Sequence, residues 1–205
     1  MKTGVKYDLS EESLLECTNS SDCGGGYVDY ALPVVINGKG MPTETRYPYK
    51  AINMRAGKPT TAGICKATNK VYYSGPTVAY KYTNLNLDQV KNLLTISPII
   101  ALFYAPSRLS SFGTGVFSCT ADEMTQVRNH FILLVGYNTD GNLLVKNSWG
   151  ASWGDAGFFW ISGADSNDCK IKSCIFRIGS SMTSSYGGNL IIAAMLLVGV
   201  VLSLA

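Results

Sequence analysis

The chain has 205 residues, of which 46% are hydrophobic and 15% are charged, a balance typical of a globular protein with a buried core. Its formal net charge of +3 comes from singly scattered lysines and arginines. Because the sequence has no basic run that would neutralise a phosphate backbone, nucleic acid is excluded as an expected partner. We expect one monomeric domain with two lobes.

The first part of the chain is predicted to be mainly helical. A short helix is expected over residues 8–17, because Ser10 is a suitable N-cap and the acidic pair after it falls in the first turn. A second helix is expected over residues 27–36, although Pro33 would remove one of its hydrogen bonds. The Asn-Gly pair that follows is a suitable end for this helix.

The later part of the chain is predicted to be rich in strands. Residues 38–80 predict an ordered loop pinned by Cys65, since they are rich in Gly, Pro, Thr and Tyr. One more short helix is expected over residues 86–96. The expected fold class is α+β, with a helical lobe over about residues 1–78 and a β-rich lobe over residues 79–178. Four strands are predicted from apolar runs separated by turns, at residues 99–104, 131–137, 143–146 and 157–161.

The end of the chain has the composition of a membrane-targeting segment. Residues 190–205 carry no charge and a single hydroxyl, a run slightly short for a spanning helix. Small residues followed by polar ones form a spacer over residues 179–189. Together they match the signal for a glycosylphosphatidylinositol anchor, in which the tail is removed. A C-terminal transmembrane helix and an apolar terminus packed on the domain are the alternatives.

The six cysteines predict disulfide bonds and no metal or cofactor site. No two of them have the C-x-x-C spacing typical of a zinc ribbon or a redox dithiol. Disulfides imply the secretory pathway, with a lysosome-like vacuole, the cell exterior or the cell surface as the destination. A glycan is predicted at Asn19, which begins an Asn-Ser-Ser sequon.

His130 is the single histidine of the chain, and it stands at the start of a predicted strand. Seventeen residues later, Asn147 lies at the end of the next predicted strand. Neighbouring strands could therefore place the Asn147 amide oxygen beside an imidazole N–H. That contact would fix the histidine tautomer, as a thiolate–imidazolium mechanism requires. Taken alone, a single histidine is more often structural than catalytic.

Several short motifs occur together and in order. They are LSEESLLEC over residues 9–17, CGGGY over 23–27, YPY over 47–49, NH at 129–130 with VGY at 135–137, and KNSWG over 146–150 followed by Trp153-Gly154 and Gly157. In this combination the sequence resembles the papain family of cysteine peptidases, in its cathepsin L-like branch, over residues 5–178. The resemblance implies two lobes that meet at a V-shaped cleft, and peptide hydrolysis through a Cys-His-Asn site.

The resemblance implies roles for individual residues. His130 would be the catalytic histidine, Asn147 would orient it, and Trp149 would shield their hydrogen bond from water. Gly25 and Gly26 would lie on the extended edge that pairs with the substrate backbone, where a missing Cβ lets two chains approach closely. The simpler explanation for Trp149 is core packing, and the simpler explanation for the two glycines is a plain turn after a helix.

The same resemblance also implies a disulfide partner or a place in the fold for each cysteine. It pairs Cys17 with Cys65 and Cys119 with Cys169. Cys23 would pair with a cysteine just before the nucleophile, which this chain lacks. Cys174 would lie at the base of the pocket for the substrate's second residue, as a lining side chain or a buried thiol. Phe131 departs from the family, which usually has a small residue there, so no substrate preference is inferred.

The nucleophilic cysteine is the missing part of this site. In the family it lies in a C-G-[SA]-C-[WY] signature about 130 to 150 residues before the His and Asn, and the sequence contains no such signature. Cys17 is rejected as a substitute, since the helix end and Glu16 disfavour a thiolate, and so is Cys23. Residues 1–10 carry three charges and no apolar stretch, so the signal peptide that a secreted protein needs is not found. We expect Met1 to be an internal methionine, because one deletion explains both this and the missing partner of Cys23. The chain as written is then inactive.

Two alternatives to a peptidase fragment stay open. One is a non-catalytic, membrane-anchored binding protein that kept a papain-like cleft. The other is the product of a pseudogene. For the peptidase, the expected partners are a peptide or protein substrate and the membrane, reached through the C-terminal tail or a lipid anchor.

Overall fold

The computed structural model describes residues 7–17, 25–37, 41–49 and 78–179. These residues form two compact units, whose main junction along the chain lies between Ala79 and Tyr80. Helices and turns make up the described part of the first unit, while the second is built on a sheet. The predicted α+β class is confirmed.

The first unit contains helices α1, Glu11–Cys17, and α2, Val28–Asn37. Ser10 caps α1 as predicted, because its Oγ accepts a hydrogen bond from the backbone N–H of Ser13 at 3.1 Å. The same hydroxyl donates to the carbonyl oxygen of Tyr47 at 2.5 Å, so the cap also fastens the turn over residues 43–47. Helix α2 continues through Pro33. The bounds predicted for it, residues 27–36, differ from the observed ones by one residue at each end.

The second unit is a seven-stranded sheet in the order β1-β7-β2-β4-β5-β6-β3. Its helix, α3, spans Leu87–Leu94, with Asn86 as N-cap in a reciprocal capping box with Gln89. Two 3-10 turns, Ser107–Ser111 and Glu123–Thr125, lie between strands. The strands are β1 Val78–Thr83, β2 Ile99–Phe103, β3 Val116–Phe117, β4 His130–Tyr137, β5 Leu143–Lys146, β6 Phe158–Ile161 and β7 Cys174–Gly179.

The four predicted strands correspond to β2, β4, β5 and β6, and the predicted third helix is α3. Strands β1, β3 and β7 were not predicted, and residues 78–80, expected to belong to a loop, begin β1. Strand β3 has two residues and pairs in parallel with β6, too short a run for a periodic signal. Strand β7 contains Arg177, which is buried although it is charged.

The core of the second unit lies between α3 and the sheet. Val90 of α3 and the alternate residues Ile99, Ala101 and Phe103 of β2 are almost fully buried. This packing holds β4 rigidly, because β4 pairs antiparallel with β2 on one side and β5 on the other. The first residue of β4 is His130.

The predicted disulfide between Cys119 and Cys169 is present. Cys17 is also disulfide-bonded, while its predicted partner Cys65 lies outside the described residues. Asn19, Cys23, the spacer beyond Gly179 and the tail at 190–205 lie outside them too. Within the described ranges, no helix is long and apolar enough to cross a bilayer.

Candidate active site

The antiparallel pairing of β4 and β5 brings His130 and Asn147 together. Leu133 pairs with Lys146, so the beginning of β4 lies beside the end of β5, and Asn147 follows directly. Nε2 of His130 is 2.9 Å from Oδ1 of Asn147. The contact expected from the spacing of these two residues is therefore present.

A second hydrogen bond fixes which atom of the Asn147 amide faces the imidazole. The backbone N–H of Ser148 donates to Oδ1 of Asn147 at 2.8 Å, so this atom is the acceptor oxygen and not the amide nitrogen. Nε2 of His130 must then carry the proton. The other ring nitrogen, Nδ1, is left as the basic atom, which is the protonation pattern that a general base needs.

Aromatic rings surround the imidazole. The ring of Trp149 lies against that of His130, with centroids 5.1 Å apart and planes inclined by 32°, and Phe103 contacts His130 with centroids 5.8 Å apart. Trp149 is itself held by the ring of Trp153, which meets it edge-on at 5.0 Å. The imidazole therefore packs against two aromatic rings, those of Phe103 and Trp149.

The turn over residues 147–157 requires glycine at a specific place. Gly154 has a φ of +59°, and a Cβ there would lie 2.5 Å from the carbonyl oxygen of Phe158, a distance that no side chain tolerates. The backbone N–H of Asn147 donates to the carbonyl oxygen of Gly157 at 2.9 Å. The Trp-Gly motif therefore closes this turn. The turn places Trp153 against Trp149, which in turn packs on His130.

An open pocket of about 430 Å³ adjoins His130 and Trp149. Its polar wall is Asn129, whose side-chain amide is fixed by two hydrogen bonds to the backbone of Ala105, at 2.8 and 3.3 Å. Another part of the lining comes from the 3-10 turn Ser107–Ser111. The lining consists of Ala105, Pro106, Ser107, Ser110, Asn129, His130 and Trp149.

Two contacts hold the 3-10 wall of this pocket in place. Arg108 donates from Nε and Nη2 to the carboxylate of Glu123 at 2.8 and 2.6 Å, and these hydrogen bonds lower the pKa of Glu123 to about 2. Nε1 of Trp153 is shared between the carbonyl oxygens of Leu109 and Ser110, at 3.1 and 3.0 Å. Sequence analysis missed the Arg108–Glu123 pair, because 15 residues separate its members and no periodicity links them.

The other residues expected at the site lie in separate elements. Gly25 and Gly26 are exposed ahead of α2 in the first unit, and Gly25 has a φ of +130°, which favours glycine. Cys174 is buried at the start of β7. Phe131, the departure from the family pattern, packs on Phe176 of β7 with ring centroids 6.3 Å apart.

Comparison with known proteins gives a consistent result. Residues 1–178 match the family model described as papain family cysteine protease. The chain is 34% identical over 167 residues to fruit bromelain of Ananas comosus, with 77% of this chain and 43% of that protein covered. It is 31% identical over 185 residues to a cathepsin L-like peptidase of Aedes aegypti, with 84% and 51% covered. The chain thus spans about half the length of the curated relatives that it matches.

Solved structures agree with the sequence comparison. The bromelain protease of Ananas comosus in complex with the E64 inhibitor matches with a TM-score of 0.73 and 26% identity, covering 88% of this chain and 81% of that one. Procathepsin L2 from the larval midgut of Tenebrio molitor matches with a TM-score of 0.71 and 26% identity, covering 86% and 54%.

Proposed function

The chain belongs to the papain family of cysteine proteases, and on that premise we propose that it provides the acid–base half of a cysteine endopeptidase. The observation that carries this proposal is the hydrogen bond between Nε2 of His130 and Oδ1 of Asn147. It leaves Nδ1 as a base, on a strand that is fixed on both sides.

In the proposed reaction, Nδ1 of His130 takes the proton of a cysteine thiol. The thiolate then attacks the scissile carbonyl carbon, and the imidazolium gives its proton to the amine that leaves. A water molecule, deprotonated by His130, attacks the resulting thioester and regenerates the thiol as the acid product departs. Asn147 keeps the imidazole in one orientation throughout, and Trp149 protects their hydrogen bond from water.

The nucleophile is proposed to lie outside these 205 residues. Cys17, Cys119 and Cys169 are in disulfides, and Cys174 is buried. A cysteine in a disulfide has no free thiol, and none of the four stands at the N-terminus of a helix, a position that activates a thiol. The signature that carries the family's nucleophile is also absent from the sequence. On this proposal, the 205 residues alone do not hydrolyse peptides.

Substrate contacts and location complete the proposal. Gly25 and Gly26 bind the backbone of a peptide, and Cys174 lies at a pocket for one of its side chains. The Cys119–Cys169 disulfide favours the secretory pathway, because such bonds persist in oxidising compartments. Attachment to a membrane is proposed to depend on residues 190–205.

The test compares two proteins on a mixture of quenched fluorogenic peptides. One is the 205-residue chain, and the other is the product of the complete reading frame that contains it, activated by a mild reductant. We expect hydrolysis by the second protein alone, abolished by a thiol-directed epoxide. If the complete product binds peptides but hydrolyses none between pH 4 and 8, the endopeptidase proposal is wrong and the binding protein takes its place.

A further inference from the structure

Arg128 is a cationic residue close in sequence to His130. It precedes His130 by two residues, so their Cα atoms are at most about 7 Å apart. The segment between them is ordered, because the backbone N–H of Asn129 donates to the carbonyl oxygen of Phe103 at 3.0 Å and extends the pairing of β4 with β2. The backbone of Arg128 therefore lies close to that of His130.

Most of the hydrogen-bonding capacity of Arg128 is not used by the residues that the structure describes. Its guanidinium has five N–H donors, and among these residues it makes one bond, from Nη1 to Oγ of Ser173 at 2.9 Å. Among the described residues no carboxylate forms an ion pair with it. By contrast, Arg108 is paired with Glu123, and Lys172 is paired with two aspartates.

The neighbourhood of Arg128 contains a second cation. Lys170 donates from Nζ to the carbonyl oxygen of Gln126 at 2.7 Å, a neutral acceptor, and in the part of the chain that the structure describes it too has no carboxylate partner. Ser173 joins Arg128 to the backbone of Lys170, since its hydroxyl accepts from Arg128 and donates to the carbonyl oxygen of Lys170 at 2.6 Å. The next residue is Cys174, proposed above to lie at a substrate pocket.

We propose that Arg128 is a specificity-determining residue that binds a carboxylate of the substrate, so that the enzyme favours an Asp or Glu side chain within three residues of the scissile bond. This inference rests on the proposed endopeptidase function. A planar guanidinium held through one nitrogen keeps a second edge for two parallel hydrogen bonds to a carboxylate. Lys170 adds attraction at longer range, which salt weakens.

The test is a substrate series on the complete reading-frame product. Fluorogenic peptides are compared in pairs that differ by Glu or Gln at one of the three positions on either side of the cleaved bond. At one position, kcat/KM for Glu is expected to exceed that for Gln by about tenfold or more at low ionic strength, the usual gain from charge-assisted bonds. Equal values at all positions would overturn the inference while leaving the peptidase function intact. No hydrolysis of any peptide would instead refute the proposed function.

Variants separate a direct contact from general attraction. Arg128→Gln is expected to reduce the Glu-to-Gln ratio to about one, and Arg128→Lys to retain part of it, because a lysine keeps the charge without the paired donors. Lys91→Gln is the matched control. Its ammonium lies over the ring of Tyr137, at the other end of β4, and its removal should leave the ratio unchanged. If Arg128→Gln keeps the wild-type ratio, the assignment to Arg128 is wrong.

Discussion

Replacing His130 by alanine is expected to lower kcat/KM of the complete reading-frame product by at least about 1,000-fold. General acid–base catalysis contributes about 10²–10⁴ in rate, and the imidazole is also needed to form the thiolate. These 205 residues contain no second histidine that could replace it. Hydrolysis of a fluorogenic peptide measures the loss.

The matched control for this variant is Val127→Ala. Val127 is close in sequence, 69% exposed and outside the proposed site, so its truncation should change kcat/KM by less than about twofold, as expected for an exposed position away from the chemistry. The thermal midpoint of each variant is measured alongside, to show that both remain folded. A folded His130→Ala protein with more than a tenth of wild-type activity would remove this residue from the mechanism.

Opening the Cys119–Cys169 disulfide is expected to have the largest effect on stability. The bond joins residues 50 positions apart, and a closed loop of this length corresponds to about 4 kcal/mol of unfolding free energy in the chain-entropy account. For a chain of this size, the double variant Cys119→Ala/Cys169→Ala should melt roughly 8–16 °C lower. The disulfide also fixes the backbone near Lys170, so the loop that supports Arg128 should loosen with it.

The control for the disulfide is Cys174→Ala, which removes a buried sulfur without opening that loop. Urea unfolding of both variants and of the wild type gives the two free-energy differences. The entropic contribution is supported if the double variant loses clearly more than twice the unfolding free energy that the control loses. If the double variant loses no more unfolding free energy than twice the loss in Cys174→Ala, this crosslink contributes little.

Much of the site could be predicted from the sequence, because its central contact depends on short spacings. His130 begins one strand and Asn147 directly follows the next, and apolar runs made those strands recognisable. The turn between Asn147 and Gly157 is also visible as a motif. Only the structure supplies the reason for its glycines, since the close approach of Gly154 to the backbone of Phe158 involves two parts of the turn that curve back on each other.

Other features could not be predicted, because they depend on long-range packing. Arg108 and Glu123 are polar residues in irregular segments, and nothing in their spacing predicts that they pair. Strand β3 is extended because it pairs with β6, and its two residues alone carry no strand pattern. Arg128 was visible in the sequence two positions before the histidine, but its significance depends on which acceptors surround it, and those come from the loop that precedes β7.

The most direct test of the central claim is nitrogen NMR of the imidazole of His130 in the 205-residue chain, where the single histidine makes the assignment unambiguous. For the neutral imidazole we expect one tautomer, with the proton on Nε2 and a basic Nδ1. In Asn147→Ala the tautomer ratio should shift towards that of the urea-unfolded chain. A proton on Nδ1, or a ratio that Asn147→Ala leaves unchanged, would contradict the proposed acid–base pair.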